Sequence, residues 1–168
     1  MEQLYNSYYK ELYLYVYGLC RQKSMTEDIL QETFLKALIA LKDSHTNMRA
    51  WLYLVARNLC FNSMKKEKNT VPEDREAVLG KHRSAGREAQ QDVLEEILQS
   101  ERRKMLWEAL CRLDGRRREI LLLQYFGGFS QKEIAAMLRL SPENVRVQVY
   151  RAKKELKSFL EVMHYDIS

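Results

Sequence analysis

The sequence predicts an all-α protein of two small helical domains, residues 1–66 and 89–168, joined by a flexible linker over 67–88. Three observations predict it. Apolar residues in both flanking segments recur at three- and four-residue steps, the period of a helix with one buried face. Neither segment holds a convincing run of alternating β-branched residues, the mark of a half-buried strand. Between them, EKNTVPEDREAVLGKHRSAGRE is strongly charged, poor in large apolar groups and without a sustained period. It has room for one short helix around Arg75–Leu79.

Composition narrows the function classes. The 168 residues are 46% hydrophobic and 30% charged, with a net charge of +5, which suits small domains with cores of their own and no large enzyme. Two prolines and six glycines exclude a collagenous or broadly disordered chain. No stretch approaches the roughly 18 uninterrupted apolar residues of a membrane span. Met1–Leu19 carries Glu2, Lys10 and Glu11 where a signal peptide needs an apolar run, so no membrane insertion is expected and the cytoplasm is the expected compartment. Cys20, Cys60 and Cys111 are odd in number and far apart, without metal-ligand spacing, and His45, His82 and His164 have no acid or nucleophile beside them. No disulfide scaffold, metal, cofactor or catalytic residue is expected.

The first helix spans about 1–21, with Leu4, Tyr5, Tyr8, Leu12, Tyr15, Val16 and Leu19 on one stripe. Its tyrosines read as core, with hydroxyls reaching the rim. The second, about 25–41, turns Ile29, Leu30, Phe34, Ala37, Leu38 and Leu41 inward. Asp28, Gln31, Glu32, Leu35 and Ile39 fall on a different stripe. Acids beside exposed Leu and Ile fit a docking face, and a solvated face with two stray apolar residues fits the pattern equally well.

A third helix begins near Met48, after the polar loop Lys42–Asn47. Leu52, Val55, Ala56 and Leu59 form its buried side, and Tyr53, Arg57, Asn58, Phe61, Met64 and Lys65 share the opposite one. Cations that track phosphates, interleaved with aromatic faces that stack on unpaired bases, suit single-stranded nucleic acid. A solvated helix with a basic end, Lys65-Lys66-Glu67-Lys68, is the competing reading.

The most specific pattern runs from Phe129 to Val145. Ser130 with Glu133 three residues later is a capping box, and Gly127-Gly128 supplies the turn before it. Ser141 caps the next helix and Pro142 is its first residue, where a missing N–H costs nothing. A short helix, Gln131–Leu138, turns Ile134, Ala135 and Leu138 inward, and small Ala135 lets the next helix approach. The pair is a helix-turn-helix meeting around Arg139–Ser141. In its second helix Val145, Val149, Ala152, Leu156 and Phe159 are the buried stripe. Glu143, Asn144, Arg146, Val147, Tyr150, Arg151 and Lys154 face out. Arg can take guanine O6 and N7, Asn can pair with adenine, and Val147 can touch a thymine methyl. Lys153, Lys154 and Lys157 suit phosphates. Chance would have to supply two caps, a two-glycine turn, a short Ala-bearing helix and a basic face together.

With these motifs in order, the chain resembles the bacterial extracytoplasmic-function sigma factors. Asp28-Ile-Leu-Gln31-Glu32-Thr33-Phe34-Leu-Lys36-Ala looks like their region 2.2, Arg49-Ala-Trp51-Leu-Tyr-Leu-Val-Ala-Arg57-Asn58 like regions 2.3 and 2.4, and Glu119–Phe126 with the helix-turn-helix like region 4. The resemblance implies that Asp28, Gln31, Glu32 and Leu35 dock on the beta-prime clamp helices of core RNA polymerase. It implies that the loop His45, Thr46, Asn47, Met48 and Arg49 captures an unpaired promoter base. The face bearing Arg57, Asn58, Phe61, Asn62 and Lys65 would hold open the minus-ten element, and Glu143, Asn144, Arg146, Val147, Gln148, Tyr150, Arg151 and Lys154 would read the minus-thirty-five element as duplex. An anti-sigma factor, often membrane-tethered, is the implied inhibitor. The chain departs from the family pattern at Arg139, often Gly, at Asp114, usually Pro, at Gln148, often Arg, and in the loop Asp43–Asn47, which lacks the common Gly-rich character. A single-module repressor would dimerise and have no use for the second stripe of the second helix.

Overall fold

A helix that is apolar on every side has to be enclosed, and the second half of α1 (Glu2–Cys20) is such a helix. In the computed structural model, which describes residues 2–40, 47–69 and 94–167, every residue from Leu12 to Cys20 is buried. The expected single stripe is therefore corrected: Tyr13, Leu14, Tyr17, Gly18 and Cys20 are buried along with Leu12 and Val16, because α2 (Lys23–Ala40) and α3 (Met48–Lys68) both lie against α1 and against each other. Tyr13, Tyr15 and Tyr17 are core, as expected, whereas Tyr5, expected on the buried stripe, is exposed because it lies in the first turns of α1, before the enclosed half begins. Rings of Tyr5, Tyr9, Tyr13 and Tyr17 follow one another at 4.8, 6.0 and 5.9 Å, and Tyr15 meets Tyr53 at 5.0 Å. The Tyr13 hydroxyl does not reach the rim; it is buried, and burial pushes its pKa well up.

Local chemistry ends each helix where it does. Arg21 takes the left-handed conformation (φ 59°), and its N–H donates to the Tyr17 carbonyl at 2.8 Å, closing α1. Asn47 caps α3 by accepting from the Ala50 N–H at 3.2 Å. α3 runs through Lys68, two residues past the expected end at 66, and Gln22 Nε2 donates to both Glu67 carboxylate oxygens (3.2 and 2.9 Å), tying the α1–α2 turn to its last turn. On the inner side of α2, Thr26 and Thr33 are buried without cost, since each hydroxyl donates to the carbonyl four residues back at 2.7 Å. Leu41, His45, Thr46 and the linker from residue 70, with the short helix expected around Arg75–Leu79, lie outside the described residues.

The second unit begins at Glu95. After a helical stretch over 94–98 come α4 (Glu101–Cys111), α5 (Gly115–Tyr125), α6 (Gln131–Leu138) and the long α7 (Pro142–Ile167), which lies against all three. Among the described residues there is no strand. Asp114, standing where proline is usual, caps α5 by accepting from the Arg117 N–H at 2.9 Å, so the departure leaves the helix start satisfied. Arg118 Nη1 donates to the carbonyls of Cys111 (3.4 Å) and Leu113 (3.3 Å) across the α4–α5 turn. Trp107 meets Phe126 edge-on at 6.1 Å, and Leu110, Ile120, Leu121, Leu122, Leu123 and Ile134 are fully buried.

Arg139 sits at φ 56°, ψ 45°, and the next N–H, of Leu140, donates back to Ala135 at 2.9 Å. The left-handed well costs a side-chain-bearing residue about 1–2 kcal/mol, while glycine in its place gives up about 0.5–1 kcal/mol of chain entropy. Arg139→Gly is expected to stabilise the unit by about 0.5–1 kcal/mol, read as a raised denaturant midpoint at constant m-value.

Candidate nucleic-acid interface

Three surfaces carry the residues singled out in the sequence. On α2 the inner side is filled by Thr26, Ile29, Leu30, Thr33, Phe34 and Ala37, which leaves Asp28, Gln31, Glu32, Leu35 and Ile39 all exposed. Leu38 is corrected: expected inward, it is half exposed (50%), because Ala37 and Phe34 occupy the core side and position 38 lies one turn beyond Leu35. Leu35 (55%), Leu38 and Ile39 (78%) therefore form one apolar cluster at i, i+3 and i+4, one turn beyond the acids.

The buried seam of α3 is rotated from the expected one. Leu52, Tyr53, Ala56 and Cys60 are buried, while Val55 and Leu59 are only half so. Tyr53 thus leaves the outward face: it packs on Tyr15 and lays its hydroxyl against the Glu11 carboxylate. What stays outward is coherent. Arg57 stands over the Phe61 ring at 4.6 Å, and Asn58, Phe61, Asn62 and Lys65 are exposed. A cation held on an aromatic face is oriented as well as charged.

At the start of α3 the expected loop residues divide. His45 and Thr46 lie outside the described residues, Asn47 is the helix cap, and Met48 opens the helix. Arg49 turns back onto α1: its Nη1 pairs with Glu11 Oε1 at 2.7 Å, and its guanidinium lies 5.3 Å over the Tyr8 ring. Burial pushes the Glu11 carboxyl up, against the pull of Arg49 and Tyr53. This geometry suits a residue that fixes where the preceding loop enters α3.

The helix-turn-helix is built as its motif predicts. Ser130 Oγ accepts from the Glu133 N–H at 3.1 Å and Glu133 Oε1 accepts from the Ser130 N–H at 3.3 Å, completing the capping box. Ser141 Oγ accepts from the Asn144 N–H at 3.1 Å. Ile134, Ala135 and Leu138 of α6 meet α7, whose buried side is Val145, Val149, Ala152 and Leu156. The stripe then continues to Met163, seven residues on, and Phe159 is only half buried. Glu143, Asn144, Arg146, Val147, Tyr150, Arg151 and Lys154 are exposed together, Tyr150 by 68%, with Lys153 and Lys157 beside them.

Gln148 is the exception on that helix. It is half buried, and its Oε1 accepts from Arg117 Nε at 3.4 Å while Arg117 Nη1 pairs with Glu155 Oε2 at 2.8 Å. Arg117 braces α5 against α7 across two turns of the longer helix. Sequence reasoning missed it, since nothing in the spacing of residues so far apart signals the contact.

Among the described residues no helix is long and apolar enough to cross a membrane, and no cluster of His, Cys, Asp or Glu has a metal-binding arrangement. Residues 4–70 match the family model for sigma-70 region 2, and residues 103–156 match that for sigma-70 region 4. The chain is 27% identical to the ECF RNA polymerase sigma factor SigM of Bacillus subtilis (strain 168), over 94% of this chain and 93% of the relative. It is 25% identical to SigX of the same organism, over 98% and 85%. Its fold is similar to that of CnrH, solved with the cytosolic domain of CnrY (TM-score 0.62, 24% identity, 96% of this chain and 87% of that one). It is also similar to the sigma factor RpoE of Bartonella quintana, solved with the anti-sigma factor NepR (TM-score 0.66, 20% identity, 96% of each chain).

Proposed function

The chain belongs to the sigma-70 family, as an extracytoplasmic-function sigma factor, and from that premise we propose how its own residues divide the work of starting transcription. The exposed face of α2 docks on the clamp helices of core RNA polymerase: Leu35, Leu38 and Ile39 lose water on contact, and Asp28, Gln31 and Glu32 set the register at the rim. Arg57, Asn58, Phe61, Asn62 and Lys65 hold the parted minus-ten strand, with an unpaired base taken by the loop before α3, whose entry Arg49 fixes through Glu11. Unstacking a base costs a few kcal/mol, which stacking and hydrogen bonding offset only where the sequence is right, so selection and opening are coupled.

The outward side of α7 enters the major groove of the minus-thirty-five element. Gln148 contributes to the brace with Arg117, because reading adenine takes both ends of a carboxamide and its oxygen is already engaged. The observation that carries this reading is the joint exposure, on one capped and braced helix, of Asn144, Arg146, Val147, Tyr150 and Arg151. Catalysis stays with the polymerase, the protein works in the cytoplasm, and a separate anti-sigma protein silences it by covering these faces.

Run-off transcription with purified core polymerase on a promoter library tests the proposal; discrete start sites sharing a two-part element are expected, and transcription no different from core alone would sink it. Within it, Arg146→Ala is expected to cost about 1–3 kcal/mol on the matched minus-thirty-five duplex and little on a duplex changed at the pair it reads. Lys157→Ala should weaken all duplexes alike and reduce the salt slope by about 1. Fluorescence anisotropy on matched and mismatched duplexes at several salt concentrations separates the two.

A further inference from the structure

Cys20 closes α1 and Cys60 lies within α3, far apart in the chain, but the two helices lie side by side, with Tyr15 against Tyr53 at 5.0 Å before the pair and Gln22 on Glu67 at 2.9 Å after it, and the Cys60 thiol is the neighbour that most lowers the pKa of the Cys20 thiol. Both are reduced and both are buried, Cys20 retaining 8% exposure and Cys60 none. Cys20 Sγ also faces Thr26 Oγ1 at 3.3 Å and the Gln22 carbonyl oxygen at 3.5 Å, and Cys60 Sγ lies 3.8 Å from Met64 Sδ.

We propose that Cys20 and Cys60 form a peroxide-reactive dithiol, a modification site that closes to an intramolecular disulfide between α1 and α3. The roles follow from the surroundings. Cys20 is the attacking sulfur, being the one that retains contact with solvent. The Cys60 thiol, helped by Thr26 and a backbone hydrogen bond at Gln22, also brings the Cys20 thiol down to about 7 against the opposing effect of burial, so thiolate is present at neutral pH. Cys60 is the resolving sulfur, already in contact.

The Cys20 thiolate attacks one oxygen of hydrogen peroxide, the O–O bond breaks, and hydroxide leaves and takes up a proton to become water. The sulfenic acid left on Cys20 is then attacked by the Cys60 sulfur. The S–S bond forms, and the sulfenic hydroxyl leaves with the Cys60 proton as a second water. Two thiols are oxidised and one peroxide is reduced to two waters. A partner thiol in contact captures the sulfenic acid before it can proceed to sulfinic acid. The product staples the helix that carries Arg57 and Phe61 to α1.

The test uses the full-length protein and does not depend on its partners. It is treated with hydrogen peroxide, alkylated without reduction, digested and mapped by mass spectrometry. The expected product is a Cys20–Cys60 linked peptide about 2 Da lighter than the sum of the two free-thiol peptides, reversed by dithiothreitol, with Cys111 still open to alkylation. Its thermal midpoint should rise by at least about 5 °C over that of the reduced protein. Cys20→Ser and Cys60→Ser should each abolish the linked peptide, and mapping of the unsubstituted chain decides the matter if either variant fails to fold. Cys20 and Cys60 both remaining alkylatable after peroxide, a chain-to-chain disulfide through Cys111, or sulfinic acid on Cys20 without a cross-link would each overturn the proposal.

Discussion

Changing Leu35 and Ile39 together to aspartate is expected to lower affinity for core RNA polymerase by at least about 100-fold, with helix content and unfolding midpoint almost unchanged. Both side chains are more than half exposed, so removing them takes little from the core of the first unit. In the proposed complex the same two side chains would be the dry centre of the contact. A carboxylate placed there would be stripped of water without a partner, beside the acids already at Asp28 and Glu32. Titrating labelled protein with core polymerase measures the loss, and circular dichroism checks the fold. A loss under tenfold in a folded variant would remove α2 as the docking face. Asp28→Ala with Glu32→Ala should have a smaller effect, since charges at a wet rim contribute mainly to encounter and register.

Gly127→Val is expected to destabilise the second unit by about 2–4 kcal/mol and to weaken duplex binding in step. A Cβ at position 127 would sit 2.7 Å from the Leu123 carbonyl oxygen and 2.8 Å from Phe129 Cδ2. One of those neighbours is backbone and the other a ring buried in the core, so neither can give way cheaply. Gly128 makes the comparison informative. It has open space around it but a φ of 71°, so Gly128→Ala should cost only about 1 kcal/mol, through the backbone alone. Denaturant unfolding followed by hydrogen exchange in α5 and α6 distinguishes the two. Equal losses would mean that the turn, and not the close approach of Phe129, sets the requirement.

The helix-turn-helix was legible because its instructions are local. Ser130 and Glu133, Gly127 and Gly128, Ser141 and Pro142 each act within three or four residues, and all appear in the structure in the roles their spacing assigns. The outward face of α2 was legible for a related reason: acids rarely go inside, so the exposed side declares itself. Tyr53, Leu38 and the far side of α1 were not, since an aromatic or aliphatic residue suits either face and its neighbours decide. Tyr15 draws Tyr53 inward, while Ala37 and Phe34 leave Leu38 out. Least visible were the meetings of distant residues: Arg49 with Glu11, Arg117 with Glu155, Cys20 with Cys60. No periodicity encodes them.

In the proposed reading one rod, α7, serves at once as the wall of a hydrophobic interior and as a set of letters held out to DNA. The two duties interleave along it, with Val145, Val149, Ala152 and Leu156 on the inner side and Asn144, Arg146, Val147, Tyr150 and Arg151 on the outer. Evolution can therefore rewrite the outer series one position at a time, moving a lineage from one set of target genes to another, while the scaffold beneath inherits no damage from the change.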